Sequence, residues 1–167
     1  MKRIIIVGPC GAGKSTFARQ LRDVLHLPLY SLDNIFWRKD KTHIEREEFD
    51  IKLEKILNEE SWIIDGDYSR TYERRMEACD TIIYLSFPRD FCIEALKGRV
   101  GEKREDIPFV EETLDPEFIE YAWNWFNETK PLLDELIEKY KSTKKALIFK
   151  NREELKVFLT NLKENQE

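Results

Sequence analysis

Nine residues near the N-terminus, Gly8-Pro-Cys-Gly-Ala-Gly13-Lys14-Ser15-Thr16, constrain this chain more than any other stretch. The run before them, Arg3-Ile-Ile-Ile-Val7, is β-branched and apolar on both faces, which predicts a strand buried in a parallel sheet covered by helices. After them Phe17, Leu21, Val24 and Leu25 recur at helical spacing until Pro28 ends the period. A glycine-rich turn between such a strand and such a helix matches G-x-x-x-x-G-K-[ST], a phosphate-binding loop. Four fixed positions would match by chance well under about 1% of the time at ordinary residue usage. Gly8, Gly11, Ala12 and Gly13 let backbone N–H groups turn inward around a phosphate, and the helix N-terminus adds partial positive charge. Lys14 brings a mobile full charge to the β- and γ-phosphates, the Ser15 hydroxyl is placed for Mg²⁺, and Thr16 completes the loop. A plain strand-to-helix turn is the bland alternative. The expected ligand is a nucleoside triphosphate, ATP with Mg²⁺.

The rest of the chain repeats the alternation. Pro28–Asp33, Ser61–Gly66, Thr81–Phe87 and Lys145–Lys150 read as four more strands. Helical periods follow at Phe49-Leu53-Ile56-Leu57, from Pro88 to about Arg99, and at Leu155-Phe158-Leu159-Leu162. Alternating strands and helices predict an α/β fold with a five-stranded parallel sheet and right-handed crossovers. Residues 100–117 are polar and without period, and a loop that long in a compact domain is usually functional or disordered. Residues 117–141 read as one long helix, kinked or restarted at Pro131. One domain over 1–167 is expected from this pattern and length.

Charge and cysteines narrow the function class. The formal charge is 28 − 33 = −5, with residues 1–40 at 7 − 3 = +4 and the remainder at −9. A basic N-terminal segment on an acidic body suits a small anionic ligand better than duplex DNA, which needs a broad cationic face. Three cysteines without a Cys-x-x-Cys pair speak against a disulfide framework or zinc ribbon. No apolar run approaches the roughly 18 residues of a membrane span, and the start is too short for a secretory signal. A soluble, cytoplasmic protein is expected.

Three groups of side chains extend the site beyond the loop. Asp65 ends a buried strand, beside the crevice where doubly wound sheets bind ligands, and is expected to hold Mg²⁺ through a water; a helix cap or turn is the alternative. Asp67 reads as a turn or substrate-side residue. Asp33, at the end of the second strand, is expected to orient or deprotonate an acceptor hydroxyl, against a helix-capping role. Phe36, Trp37 and Tyr68 are candidates for the acceptor wall or for core. Arg99, with Lys103 and Arg104, stands where a helix enters the irregular segment, a place from which cations can reach a transferring phosphoryl group. Arg70, Arg74, Arg75 and Arg89 are unranked. Cys10 is read as filler, with a lowered thiol pKa at the helix N-terminus as the alternative.

With these residues the chain resembles the nucleoside- and nucleotide-kinase branch of P-loop proteins, to which adenylate, shikimate and gluconate kinases belong. Within it, the chain is most similar to small bacterial proteins described as DNA topology modulation or FlaR-related proteins. The resemblance is carried by the loop, by Leu-Pro-Leu-Tyr-Ser-Leu-Asp-Asn-Ile-Phe-Trp, by Trp-Ile-Ile-Asp-Gly-Asp-Tyr-Ser and by Cys-Asp-Thr-Ile-Ile-Tyr-Leu-Ser-Phe-Pro-Arg, all within the first 90 residues. It implies a three-layer fold with strand order 2-3-1-4-5, residues 100–117 as a lid and residues 34–60 as the acceptor side. It also implies that Arg99 touches adenine or phosphate, and that Asn151 and Arg152 lie near the base. Where adenylate kinases read Asp-Gly-Phe-Pro-Arg, this chain reads Asp65-Gly-Asp-Tyr-Ser-Arg70, one residue longer, so the monophosphate-holding arginine does not carry over. Basic residues expected before the helix restart are replaced by Asn124, Asn127 and Glu128.

Two functions follow as expectations. The first is ATP/Mg²⁺-dependent phosphoryl transfer to an unidentified small molecule, a nucleotide or nucleoside, with Lys14, Asp33 and Arg99 as catalytic residues. The alternative is a nucleotide-binding regulator affecting DNA topology; the charge of −5 and the lack of a DNA-binding module argue against nucleic acid as a partner.

Overall fold

A computed structural model describes residues 1–165. Five parallel strands form its centre: β1 (Arg3–Val7), β2 (Leu29–Ser31), β3 (Trp62–Asp65), β4 (Thr81–Leu85) and β5 (Lys145–Phe149). Their order is β2-β3-β1-β4-β5, with Ile6 opposite Asp65 and Ser31 opposite Asp65 at the C-terminal ends. Because side chains alternate across a strand, β1 feeds two cores at once. Ile4 and Ile6 pack toward α1 (Lys14–Leu25) and α8 (Arg152–Glu164), through Phe17, Leu21 and Leu155. Ile5 and Val7 pack toward α3 (Arg46–Leu57), α4 (Tyr72–Ala78), α6 (Pro116–Glu128) and α7 (Lys130–Tyr140). This is the three-layer arrangement that the alternating pattern calls for.

Several boundaries differ from the sequence expectation. The second strand stops at Ser31, and Leu32–Phe36 turn into a short helix, α2. Asp33 therefore lies in the first turn of α2 and not at a strand end. The segment 117–141 divides into α6 and α7, with Pro131 in the first turn of the second, where its missing N–H costs nothing. A helix absent from the periodicity reading, α4, follows a 3₁₀ turn at Ser69–Thr71. Its seven residues are too short for a visible period, and one of its buried positions is an arginine, Arg75. Residues 101–115, between α5 (Arg89–Gly98) and α6, contain no helix or strand.

Candidate active site

Changing direction on either side of β1 opens a crevice at the carboxyl ends of the strands, and the glycine loop fills its floor. Gly11 has φ +84°, and a Cβ there would run into the backbone carbonyl of Cys92, so only glycine lets the loop lie this close to α5. Helix α1 starts at Lys14 behind Gly13, without a side-chain cap, which leaves first-turn N–H groups facing the cleft. The Lys14 ammonium donates to the carbonyls of Gly8 and Pro9, each at 2.8 Å. The cleft above measures about 1010 Å³.

Ser15 and Asp65 meet across the floor. The Ser15 hydroxyl donates to Asp65 Oδ2 at 2.6 Å, while Oδ1 is buried without a hydrogen-bond partner. Burial pushes the Asp65 carboxyl up to about 6, against the pull of Lys14 and of the Ser15 hydroxyl. A buried acceptor left open beside a loop hydroxyl fits a hydrated magnesium ion. Among the described residues no cluster of three or more His, Cys, Asp or Glu could cage a metal. An ion at Ser15 would thus take its remaining ligands from water and phosphate, as Mg²⁺ does.

Asp33 reaches the same cleft from α2. The Tyr68 hydroxyl donates to its Oδ1 at 2.8 Å, so its side chain serves the cleft and not a helix cap. Burial raises the Asp33 pKa, and Tyr68, Lys14 and Arg104 oppose the rise. Tyr68 occupies the left-handed region, with φ 37°, two positions after Gly66 at φ +142°, where a Cβ would sit 2.8 Å from Leu32 Cβ. Beneath this turn lies Arg75, 0% exposed. Its guanidinium donates to Thr71 Oγ1 and to the Gly66 carbonyl, each at 2.9 Å, and to the Asp67 carbonyl. Its partners are thus neutral oxygens of the turn that carries Tyr68. Asp67 points inward: the hydroxyl of Tyr72 donates to its Oδ1 and the indole N–H of Trp125 to its Oδ2, the latter at 2.6 Å. Sequence reasoning missed Arg75 as a support; the only signal was an arginine between Tyr72 and Met76 in a row otherwise headed for the core.

The irregular segment brings the remaining cations. Arg104 pairs with Glu111 at 3.0 Å and Asp106 at 3.4 Å, and Arg99 approaches Glu111 at 3.7 Å. Burial lowers the Arg99 pKa, and the neighbouring Arg104 adds to that. Both line the cleft with Lys103 and Arg152. The segment is tied to the acceptor helix, for Ser31 donates to the Asp106 carbonyl at 3.1 Å and Asn34 to the Glu105 carbonyl at 2.6 Å. Phe36, Trp37 and Tyr68 line the cleft, with Phe109 edge-on to Trp37 at 5.8 Å. The unranked arginines now separate. Arg70 and Arg74 turn to Asp50, and Arg89 to Asn127 and the Trp123 ring, all away from the cleft. Asn151 caps α8 by accepting from the Glu154 N–H at 2.9 Å. The low-pKa alternative for Cys10 reverses, since burial pushes its thiol up despite Lys14 nearby.

No protein-family profile matches the chain. Adenylate kinases of Thermotoga petrophila and Thermotoga maritima are each 29% identical to it, over 117 and 111 residues. These matches cover 65% and 64% of this chain and 52% and 50% of theirs, so the chain spans about half the length of the curated relatives it matches. Among solved structures, shikimate kinase from Bacteroides thetaiotaomicron aligns at TM-score 0.62 and 16% identity, covering 99% of this chain and 98% of that one. Shikimate kinase from Acinetobacter baumannii in complex with shikimate aligns at 0.59 and 17%, covering 99% and 95%. The chain has the P-loop kinase fold, its five parallel strands running in the order β2-β3-β1-β4-β5.

Proposed function

We propose that the chain is an ATP- and Mg²⁺-dependent kinase that phosphorylates a hydroxyl group of a small molecule. The observation that carries this is the convergence in one cleft of Lys14, the Ser15–Asp65 pair and the Tyr68-held carboxylate of Asp33. In this reading the loop amides and Lys14 hold the β- and γ-phosphates. Ser15 would hold the magnesium ion, with Asp65 holding a water of its shell. Bound there, the ion would supply positive charge to the phosphates. Asp33 accepts the proton of the acceptor hydroxyl as its oxygen bonds to the γ-phosphorus and the bond to the β–γ bridging oxygen breaks, releasing ADP. Residues 100–117 act as a lid that delivers Arg104 beside Arg99 at the end of α5, and residues 34–60 form the acceptor side. The single-domain organisation over 1–167 belongs to the same reading, supported by the shared sheet.

ADP formation from ATP and Mg²⁺ in the presence of nucleosides, nucleoside monophosphates and small hydroxy acids tests it. Acceptor-stimulated turnover that disappears in Lys14→Ala and falls at least about a hundredfold in Asp33→Ala, the typical worth of a general base, is the expected result. Tight ATP binding with no acceptor-stimulated turnover would instead favour a nucleotide-dependent regulator.

A further inference from the structure

We infer that Asp106, on the lid, belongs to the magnesium site and holds the hydrated ion through water, so that metal binding draws the lid closed. The inference rests on the nucleotide and magnesium part of the reading above. Asp106 is 7% exposed, although it lies in a segment without helix or strand, where charged side chains ordinarily face water. The latch to Ser31 and Asn34 puts it there, since both donate to lid carbonyls, those of Asp106 and Glu105. Beside the main cleft this leaves a second cavity of about 180 Å³, room for a cation with its shell of water. Ser15, Asp65, Arg19 and Arg22 line it from the body of the protein, and Glu105 and Asp106 from the lid. The Ser15–Asp65 pair thus opens on two spaces, and the lid carboxylate borders both.

The charges around this second space are unequal. Three acids face Arg19 and an Arg22 that already pairs with Asp23 at 2.9 Å. Arg104 pairs with Asp106 at 3.4 Å but divides its charge with Glu111 at 3.0 Å. Arg19 is half-buried and donates to Thr16 Oγ1 at 3.4 Å rather than to an acid. Burial is the first cause of the raised pKa values of Asp65 and Asp33, and the Asp106 charge adds to both. A divalent cation relieves that repulsion. Asp65 Oδ1, buried without a partner, supplies an acceptor for one water of its shell, and the Asp106 carboxylate supplies another. Among the described residues no three acidic side chains could ligate one ion directly, so the contact runs through water, which Mg²⁺ gives up reluctantly.

Mn²⁺ binding tests this, followed by electron paramagnetic resonance with a non-hydrolysable ATP analogue and protein in excess over nucleotide. Asp106→Asn keeps the shape of the side chain and removes its charge. It should weaken Mn²⁺ binding by about tenfold or more, the usual cost of losing an outer-shell partner. Affinity for the analogue without metal should stay level or tighten, because Arg104 is released. Trypsin reads the lid independently, through the exposed Lys103. Adding Mg²⁺ to the analogue-bound protein should slow cleavage there in the parent chain and not in Asp106→Asn. Ser31→Ala, which loosens the latch and keeps every acid, should also weaken Mn²⁺ binding, and it carries the test if Asp106→Asn does not fold. Unchanged Mn²⁺ affinity in the folded variants would overturn the inference. So would weaker metal-free nucleotide binding with the metal dependence unaltered, the mark of a residue that only aims Arg104. Equal protection by Mg²⁺ in parent and Asp106→Asn would overturn the link to lid closure. A parent chain with no nucleotide-dependent Mn²⁺ site would overturn the magnesium reading itself.

Discussion

Replacing Arg75 by Met tests whether the acceptor site is built on the turn beneath it. The side chains are close in volume, so packing is largely kept while three short hydrogen bonds disappear, to Thr71 Oγ1, to the Gly66 carbonyl and to the Asp67 carbonyl, together with a longer one of 3.4 Å to the Tyr68 carbonyl. Bonds from a charged donor are worth about 1.5–3 kcal/mol each, so the gross loss is about 5–9 kcal/mol. Against this stands relief of a buried guanidinium whose pKa burial already lowers, a gain of several kcal/mol. The net destabilisation should be about 2–3 kcal/mol, or a fall of roughly 5–10 °C in Tm for a chain of this size. Arg75→Lys keeps the charge but cannot reach all three oxygens, and should fall between. The functional consequence separates support from mere stability. Well below its Tm, Arg75→Met should raise KM for the acceptor and lower kcat with little change in KM for ATP, because the Gly66–Tyr68 turn aims the Tyr68 hydroxyl at Asp33. In an Arg75→Met/Tyr68→Phe cycle the two losses should be strongly non-additive. A Tm within about 2 °C of the parent protein, with acceptor kinetics unchanged, would refute the argument.

Three further outcomes are expected. Asp65→Asn should abolish the Mg²⁺-dependent thermal shift caused by ATP, yet leave the ligand-free protein at least as stable at pH 7.5, since it removes a buried carboxylate whose pKa stands at about 6; a destabilised apo protein in urea melts would contradict this. The raised pKa of Asp33 places the acid limb of kcat/KM above the ordinary carboxylate range, with activity lost as pH falls through it. Because the folded state is the one that holds this proton more tightly, Asp33 contributes stability, not instability, on acidification through the same window. Tyr68→Phe removes a bond that lowers the pKa, and should move the limb to higher pH in a pH–rate profile. Glu111→Gln releases the carboxylate shared by Arg99 and Arg104 and should tighten ATP binding by about two- to fivefold in calorimetry, the worth of a partly exposed ion pair; weaker binding would show that Glu111 aims these arginines correctly.

The glycine loop, the strand before it and the amphipathic face of α1 were legible residue by residue, because each depends on backbone freedom or periodicity over a dozen positions. The same holds for β3 and β4, whose runs of Ile with Trp or Tyr mark burial on both faces. The exceptions are informative. Asp33 was expected at a strand end, but α2 begins at Leu32, and a three-residue edge strand has no period with which to announce its stop. Asp67 read as a turn residue of the substrate side; its carboxylate is instead sequestered by Tyr72 and by Trp125, 58 positions away.

The sequence by itself therefore determined the α/β class, the phosphate-binding loop and the candidate carboxylates, all of which rest on local backbone chemistry or on the alternation of apolar faces. Only the tertiary structure decided which groups meet. The Ser15–Asp65 bond spans 50 positions and the Tyr68–Asp33 bond spans 35, and both exist because parallel strand order brings remote strand ends to one crevice. Which arginine faces the cleft and which is consumed by a carboxylate or a buried carbonyl was likewise decided there. An arginine's role is set by the partner it reaches through space, and no spacing along the chain encodes that partner.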